Sequence, residues 1–223
     1  MQLVTALRGL AGGFKIGNRL FTSEGPALVR RIADAGSRVF LDLKYHDIPN
    51  TVGQAVEAAV GTGAWMINVH ASGGSAMMQA AAQAARETAG TLGRPAPLMI
   101  GVTVLTSLDR DALRAVGVER TVLDQVIALA RMTQQAGLQG VVASAQETPD
   151  IRTACGPDFL IVTPGIRGAS AGAERNDQSR TMGPAEAIRA GASYIVVGRP
   201  IIAAADPRGA AAAIAEELRF AGS

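Results

Sequence analysis

The segment FLDLKYHDIPNTV, Phe40 to Val52, places Asp42, Lys44, His46 and Asp47 within six residues at the end of an apolar run. The chain carries 21 lysines and arginines, and only two of them, Lys15 and Lys44, are lysines. An ammonium group can give up a proton during a reaction, whereas a guanidinium keeps its proton at any working pH. Lysine kept at these two places in an arginine-rich chain points to proton transfer. Asp42 and Asp47 add the opposite sign, so the four form an alternating Lys15–Asp42–Lys44–Asp47 array. An isolated Asp-x-Lys pair is more often a structural salt bridge, worth only ~0–1 kcal/mol at a surface. Four charges gathered at the end of an apolar strand are costly to desolvate and give little net stability. The array reads as catalytic.

Strand periodicity of two sends Phe40, Asp42 and Lys44 to one face and Leu41 and Leu43 to the other. The leucines suit packing against helices. Asp47 follows in a stretch stiffened by Ile48-Pro49, where proline fixes its own φ and biases Ile48 toward extended geometry.

Apolar, β-branched runs recur at 13–17, 38–44, 65–70, 98–105, 140–145, 159–165 and 194–199. The segments between them, such as GPALVRRIADAG and PAEAIRAGA, show helical spacing and end at glycine. This alternation predicts an α/β fold with a parallel sheet covered by helices. With no composition shift or linker, residues 1–223 read as a single domain. Seven strands suit an open doubly wound sheet, or an eight-stranded (β/α)8 TIM barrel whose first strand lies upstream of Met1. Polar residues favour the barrel, because Lys15, Asp42, Lys44, His70, Thr106, Ser144, Arg167 and Arg199 fall at the C-terminal ends of several different strands.

Composition removes other classes. The net charge is +2 with no basic block, and aromatics make up 4%, so no nucleic-acid surface or base-stacking platform is expected. The lone Cys155 excludes an internal disulfide and suits a reducing, cytoplasmic setting. No apolar run reaches the ~18 residues of a membrane span, so no membrane association is expected.

A phosphate site is expected at the last strand. YIVVGRPI ends in Gly198 and Arg199 before a short helical start, which combines close backbone approach with bidentate donors. The Gly/Ala/Ser-rich loop of 162–180, with Arg167 and Gln178, reads as a lid.

Taken in order, FKIG, FLDLKYHDIPNTV, WMINVHASGG, VTVLTS, VVASAQE, VTPGIR, DQSR and VVGRP resemble the orotidine 5'-phosphate decarboxylase family over essentially the whole chain. The resemblance implies a homodimeric (β/α)8 barrel that converts orotidine 5'-phosphate to UMP without metal or organic cofactor. It makes Lys44 the donor of the proton to pyrimidine C6, and Asp42 the carboxylate facing the substrate's own. Lys15 is implied to touch the ribose and hold the array. Asp47 and Thr51 are implied to act across the dimer interface. Thr106 is implied to contact the pyrimidine, Gln178 to span base and phosphate, Gly198 with Arg199 to clamp the phosphate, and Arg167 to lie beside the ligand. Family members open on a strand resembling ALD, which has no counterpart before LVTALRGLAGGFKIG. The chain is therefore expected to lack the first strand and its ribose-contacting aspartate.

Two other readings compete with decarboxylation. One is a sugar-phosphate decarboxylase or hexulose-phosphate synthase, which shares the D-x-K-x-x-D strand end and uses Mg²⁺. The other is an inert nucleotide-phosphate binder. His46 reads as support for Asp47, His70 equally as a strand-end residue or a site contact, Met77-Met78 as packing, and Cys155 as a spare thiol.

Overall fold

A computed structural model describes residues 1–166 and 182–221 of the chain. All seven strands expected from the sequence are present among these residues, each followed by helix, so the parallel α/β reading holds. The described residues group into two compact units, 1–102 with 132–140, and 103–131 with 141–166 and 182–221.

The first unit opens with α1 (Gln2–Ala6) and continues β1 (Phe14–Gly17), α2 (Asn18–Asp34), β2 (Val39–Tyr45), α3 (Pro49–Val60), β3 (Met66–His70), α4 (Ser75–Thr91) and β4 (Leu98–Val102). The strands pair in parallel and in chain order, Phe14 beside Val39, Phe40 beside Met66, and Met66 beside Leu98. Val39, Leu41, Ile67, Met99 and Ile100 are fully or almost fully buried, as are Val29 and Ile32 of α2 and Val56 of α3. Burying such side chains stabilises by about 1.5–3 kcal/mol each before conformational entropy is counted. Helix α2 contains a break at Gly25 (φ 66°) followed by Pro26, so two helical pieces meet there. Small residues bring α3 and α4 close: a Cβ on Gly53 would lie 4.0 Å from that of Ala84. Met77 and Met78 of α4 are fully buried, as packing residues should be.

In the remaining elements, α5 spans Arg110–Ala115, α6 Val122–Gln135, β5 Gly140–Val142, α7 Thr148–Cys155, β6 Leu160–Thr163, α8 Pro184–Arg189, β7 Tyr194–Ile195, α9 Arg199–Ile202 and α10 Pro207–Ala221. Within the second unit, Val162 pairs with Tyr194 in parallel, and the Ala143 N–H donates to the Val162 carbonyl at 3.2 Å. Arg152 of α7 fastens both ends of this region, donating to the Phe159 carbonyl at 2.6 Å and the Gly191 carbonyl at 2.7 Å. Ser144 is buried and caps the turn before α7, its N–H bonded to Glu147 Oε2 at 2.9 Å. Its role in the described structure is to start a helix. Among the described residues no helix is long and apolar enough to cross a membrane.

Candidate active site

Three of the four charges expected in the array meet in the first unit. Asp42 Oδ1 accepts from Lys44 Nζ at 2.6 Å, and its Oδ2 faces Lys15 Nζ at 2.9 Å. The strands explain the meeting. Gly17 of β1 lies in register with Asp42 of β2, and a Cβ on Gly17 would stand 3.2 Å from Lys15 Nζ. With glycine there, the Lys15 ammonium has room to turn back onto Asp42.

Strict alternation along β2 does not carry as far as Lys44, contrary to the expectation from sequence. The β2–β3 register shifts between Leu41 and Tyr45, which pair with Ile67 and Val69. Four residues of β2 therefore run against two of β3, and the excess chain bulges. Lys44 sits in that bulge at φ 53°, alone among the described non-glycine residues in having positive φ. Such backbone is costly for an L-residue and recurs at functional sites.

Asn68 of β3 stands opposite the bulge and is fully buried. Its Nδ2 donates to Asp42 Oδ1 at 2.7 Å, and its Oδ1 accepts from the Lys44 N–H at 2.8 Å. Sequence reading passed over this residue inside WMINVH. The available signal was an amide in the middle of an apolar strand, since buried polar groups require partners.

Burial alone would push the Asp42 carboxyl up, but Lys15, Lys44 and Asn68 together outweigh it and hold the group below its ordinary 3.8. Asp42 is therefore an anion clasped by two cations and an amide, its side chain only 11% exposed. His70, at the end of β3, has its pKa lowered by burial first and then by His46 and Lys44, against a raising effect of Asp42. The two imidazoles lie 5.5 Å apart between centroids. His70 thus belongs to the electrostatic surroundings of the cluster.

Asp47 does not join the cluster within the chain. It is exposed, and its Oδ1 accepts from the Ile48 N–H at 2.6 Å, in the turn that enters α3. Thr51, in the first turn of α3, is also exposed, and the Ile48 side chain between them is bared to 66%. In the second unit Thr106 occupies a turn and is half-buried. Gly198 precedes α9, and a Cβ added to it would meet nothing within 4 Å. Arg199, the first residue of α9, is exposed. Arg167 and Gln178 lie outside the described residues.

The whole arrangement has counterparts of known kind. The family model "Orotidine 5'-phosphate decarboxylase / HUMPS family" matches residues 1–214. A protein of Moorella thermoacetica named orotidine 5'-phosphate decarboxylase is 59% identical over 98% of this chain and 86% of its own length. One of Syntrophotalea carbinolica with the same name is 54% identical over 99% and 89%. The crystal structure of orotidine 5'-phosphate decarboxylase from Lactobacillus acidophilus superposes with a TM-score of 0.83 at 38% identity, covering 97% of this chain and 93% of that one. The chain belongs to the orotidine 5'-phosphate decarboxylase / HUMPS family.

Proposed function

We propose that the chain decarboxylates orotidine 5'-phosphate to UMP, in the closing step of pyrimidine nucleotide synthesis, with the Lys15–Asp42–Lys44 cluster as its catalytic centre. The observation that carries this reading is the Lys44 ammonium held 2.6 Å from Asp42 on a kinked strand. Losing carbon dioxide from pyrimidine C6 leaves an electron pair there with no cofactor to take it. Fixed charge nearby must do that work, and preorganised groups do it without reorganising during the step. Lys44 stabilises the developing charge and delivers its proton to C6. Asp42 faces the departing carboxylate and, with Lys15, keeps the Lys44 ammonium in place. Arg199 and Gly198 hold the phosphate, Thr106 contacts the base, and Arg167 and Gln178 close over the ligand. Binding energy from the remote phosphate supports that closure.

The working form in this reading is a single (β/α)8 barrel domain over 1–223, paired as a homodimer, with Asp47 and Thr51 of one subunit completing the site of the other. The exposed run Asp47, Ile48, Thr51 supports it. A cytoplasmic setting follows from the pathway and the single thiol.

The family name also covers the Mg²⁺-using hexulose-phosphate enzymes. A divalent cation at Asp42 would lie against two ammonium groups, and the Moorella and Syntrophotalea relatives bear the decarboxylase name. The deciding experiment follows loss of pyrimidine absorbance from orotidine 5'-phosphate in EDTA. Turnover that survives the chelator is expected. Binding of UMP without any turnover would instead favour the inert binder.

A further inference from the structure

We propose that Asn68 is a positioning residue for the decarboxylation, setting the Lys44 ammonium and the Asp42 carboxylate in their working geometry through the two faces of one buried amide. The inference rests on the reaction proposed for the Lys15–Asp42–Lys44 cluster.

The hydrogen bonds fix the amide's orientation without ambiguity. A backbone N–H can only be met by the amide oxygen, and a carboxylate only by the amide nitrogen. Lys44 N to Asn68 Oδ1 is 2.8 Å, and Asn68 Nδ2 to Asp42 Oδ1 is 2.7 Å. Asn68 therefore spans the bulge from Asp42 to Lys44. These are the two residues whose side chains meet at 2.6 Å. A left-handed lysine is an unfavourable conformation that persists only where its surroundings over-determine it. The bulge leaves the Lys44 N–H without a place in the strand ladder, and Asn68 supplies the partner that makes this backbone tolerable. The same amide donates to the Asp42 oxygen that Lys44 Nζ also contacts. A displaced Asn68 would thus release the backbone of one member and the carboxylate of the other together. An error of about 1 Å in such a geometry can cost of order 10²-fold in rate.

The titratable groups around this junction, among the described residues, are Lys15 on β1, Asp42 and Lys44 on β2, and His70 on β3 with His46 beside it. Asn68 itself has no charge, so its effect on pH dependence must act through Asp42.

The test compares Asn68→Ala and Asn68→Asp with the parent enzyme, using kcat, KM and the pH profile of kcat/KM, with kcat normalised to folded sites by UMP binding. Asn68→Ala is expected to lower kcat by about 10–100-fold while KM stays within about threefold, and to move the acid limb to higher pH as Asp42 loses a donor. Asn68→Asp keeps the shape. Ionised, it repels Asp42; protonated, it can again donate to that carboxylate and accept from Lys44. Its deficit relative to the parent is therefore expected to narrow as pH falls, which a purely structural defect would not do. Parent-like kcat and an unmoved acid limb in folded Asn68→Ala would overturn the proposal. Should Asn68→Ala not fold, a deficit in Asn68→Asp that is absent or constant with pH would do so. A parent enzyme with no turnover would sink the functional reading itself, a distinct result.

Discussion

Asp42 and Lys44, two residues apart on one strand, meet at 2.6 Å because the strand between them does not run straight. The bulge opposite Asn68 turns Lys44 into left-handed backbone, and Lys15 approaches the same carboxylate from the next strand at 2.9 Å. The cluster is thus one anion between two cations, with the anion the most buried of the three.

The two cations and the Asn68 amide around that anion have a consequence for folding in acid. Asp42 binds its proton less readily in the folded chain than in the unfolded one, where its pKa is near 3.8. The folded state therefore gains stability that is fully present above that value and lost as pH falls through the depressed one. Asp42→Asn is expected to cost about 1–2 kcal/mol near neutrality, a charged hydrogen-bond contribution discounted for the partly exposed lysines. In urea unfolding, the gap between parent and variant should shrink steadily below pH 4. A gap independent of pH would contradict the assignment.

His70 has the same sign at a different pH. Its folded pKa lies below the ordinary 6.5, because burial and the neighbouring cations disfavour its charged form. The unfolded chain takes up the proton first, so stability falls as pH drops below 6.5. Between pH 7.5 and 5.5 the parent should lose more thermal stability than His70→Asn. Equal losses would show that His70 is not the group concerned.

Gly101 of β4 packs on Thr133 of α6 within the first unit: an added Cβ would lie 2.6 Å from Thr133 Oγ1 and 2.8 Å from its Cγ2. Gly101→Ala is expected to destabilise by about 1–3 kcal/mol through overpacking. Combining it with Thr133→Ala removes both close atoms, so the double variant should show a favourable coupling in urea unfolding. Strict additivity would contradict the packing account.

Arg199→Ala should raise KM for orotidine 5'-phosphate by about 100-fold, as expected for loss of a bidentate, charge-assisted clamp. Orotidine, which lacks the phosphate, should be turned over equally poorly by both enzymes. An equal loss on both substrates would place Arg199 elsewhere in the mechanism.

Asp47 can be assigned to its subunit by mixing. Lys44→Ala and Asp47→Ala chains are each expected to be nearly inactive. If Asp47 serves the partner's site, half of the randomly mixed dimers carry one intact site, giving about a quarter of parental activity. Activity no greater than the sum of the parts would place Asp47 in its own subunit's site.

Much of this was legible from sequence because it depends on patterns of short range. Two lysines among many arginines and an Asp-x-Lys at a strand end pointed to the cluster, and seven apolar runs gave the strands. The bulge was not legible. A period of two assumes that β2 and β3 advance together, and only the pairing of Tyr45 with Val69 shows that they do not. Asn68 was missed for the same reason, since its importance comes from facing that bulge. Ser144 counted among the polar strand ends that favoured a barrel, yet β5 stops at Val142 and Ser144 caps the helical turn that begins immediately after it.

The most direct measurement of the central claim compares kcat for Lys44→Arg and Lys44→Ala with the parent on orotidine 5'-phosphate. Arginine keeps the positive charge beside Asp42 but holds no proton it can release. If Lys44 is the proton donor, both variants should lose about 10³-fold or more, on the scale of general-acid and charge stabilisation combined. Lys44→Arg activity within tenfold of the parent would show that charge alone is required and would contradict the account.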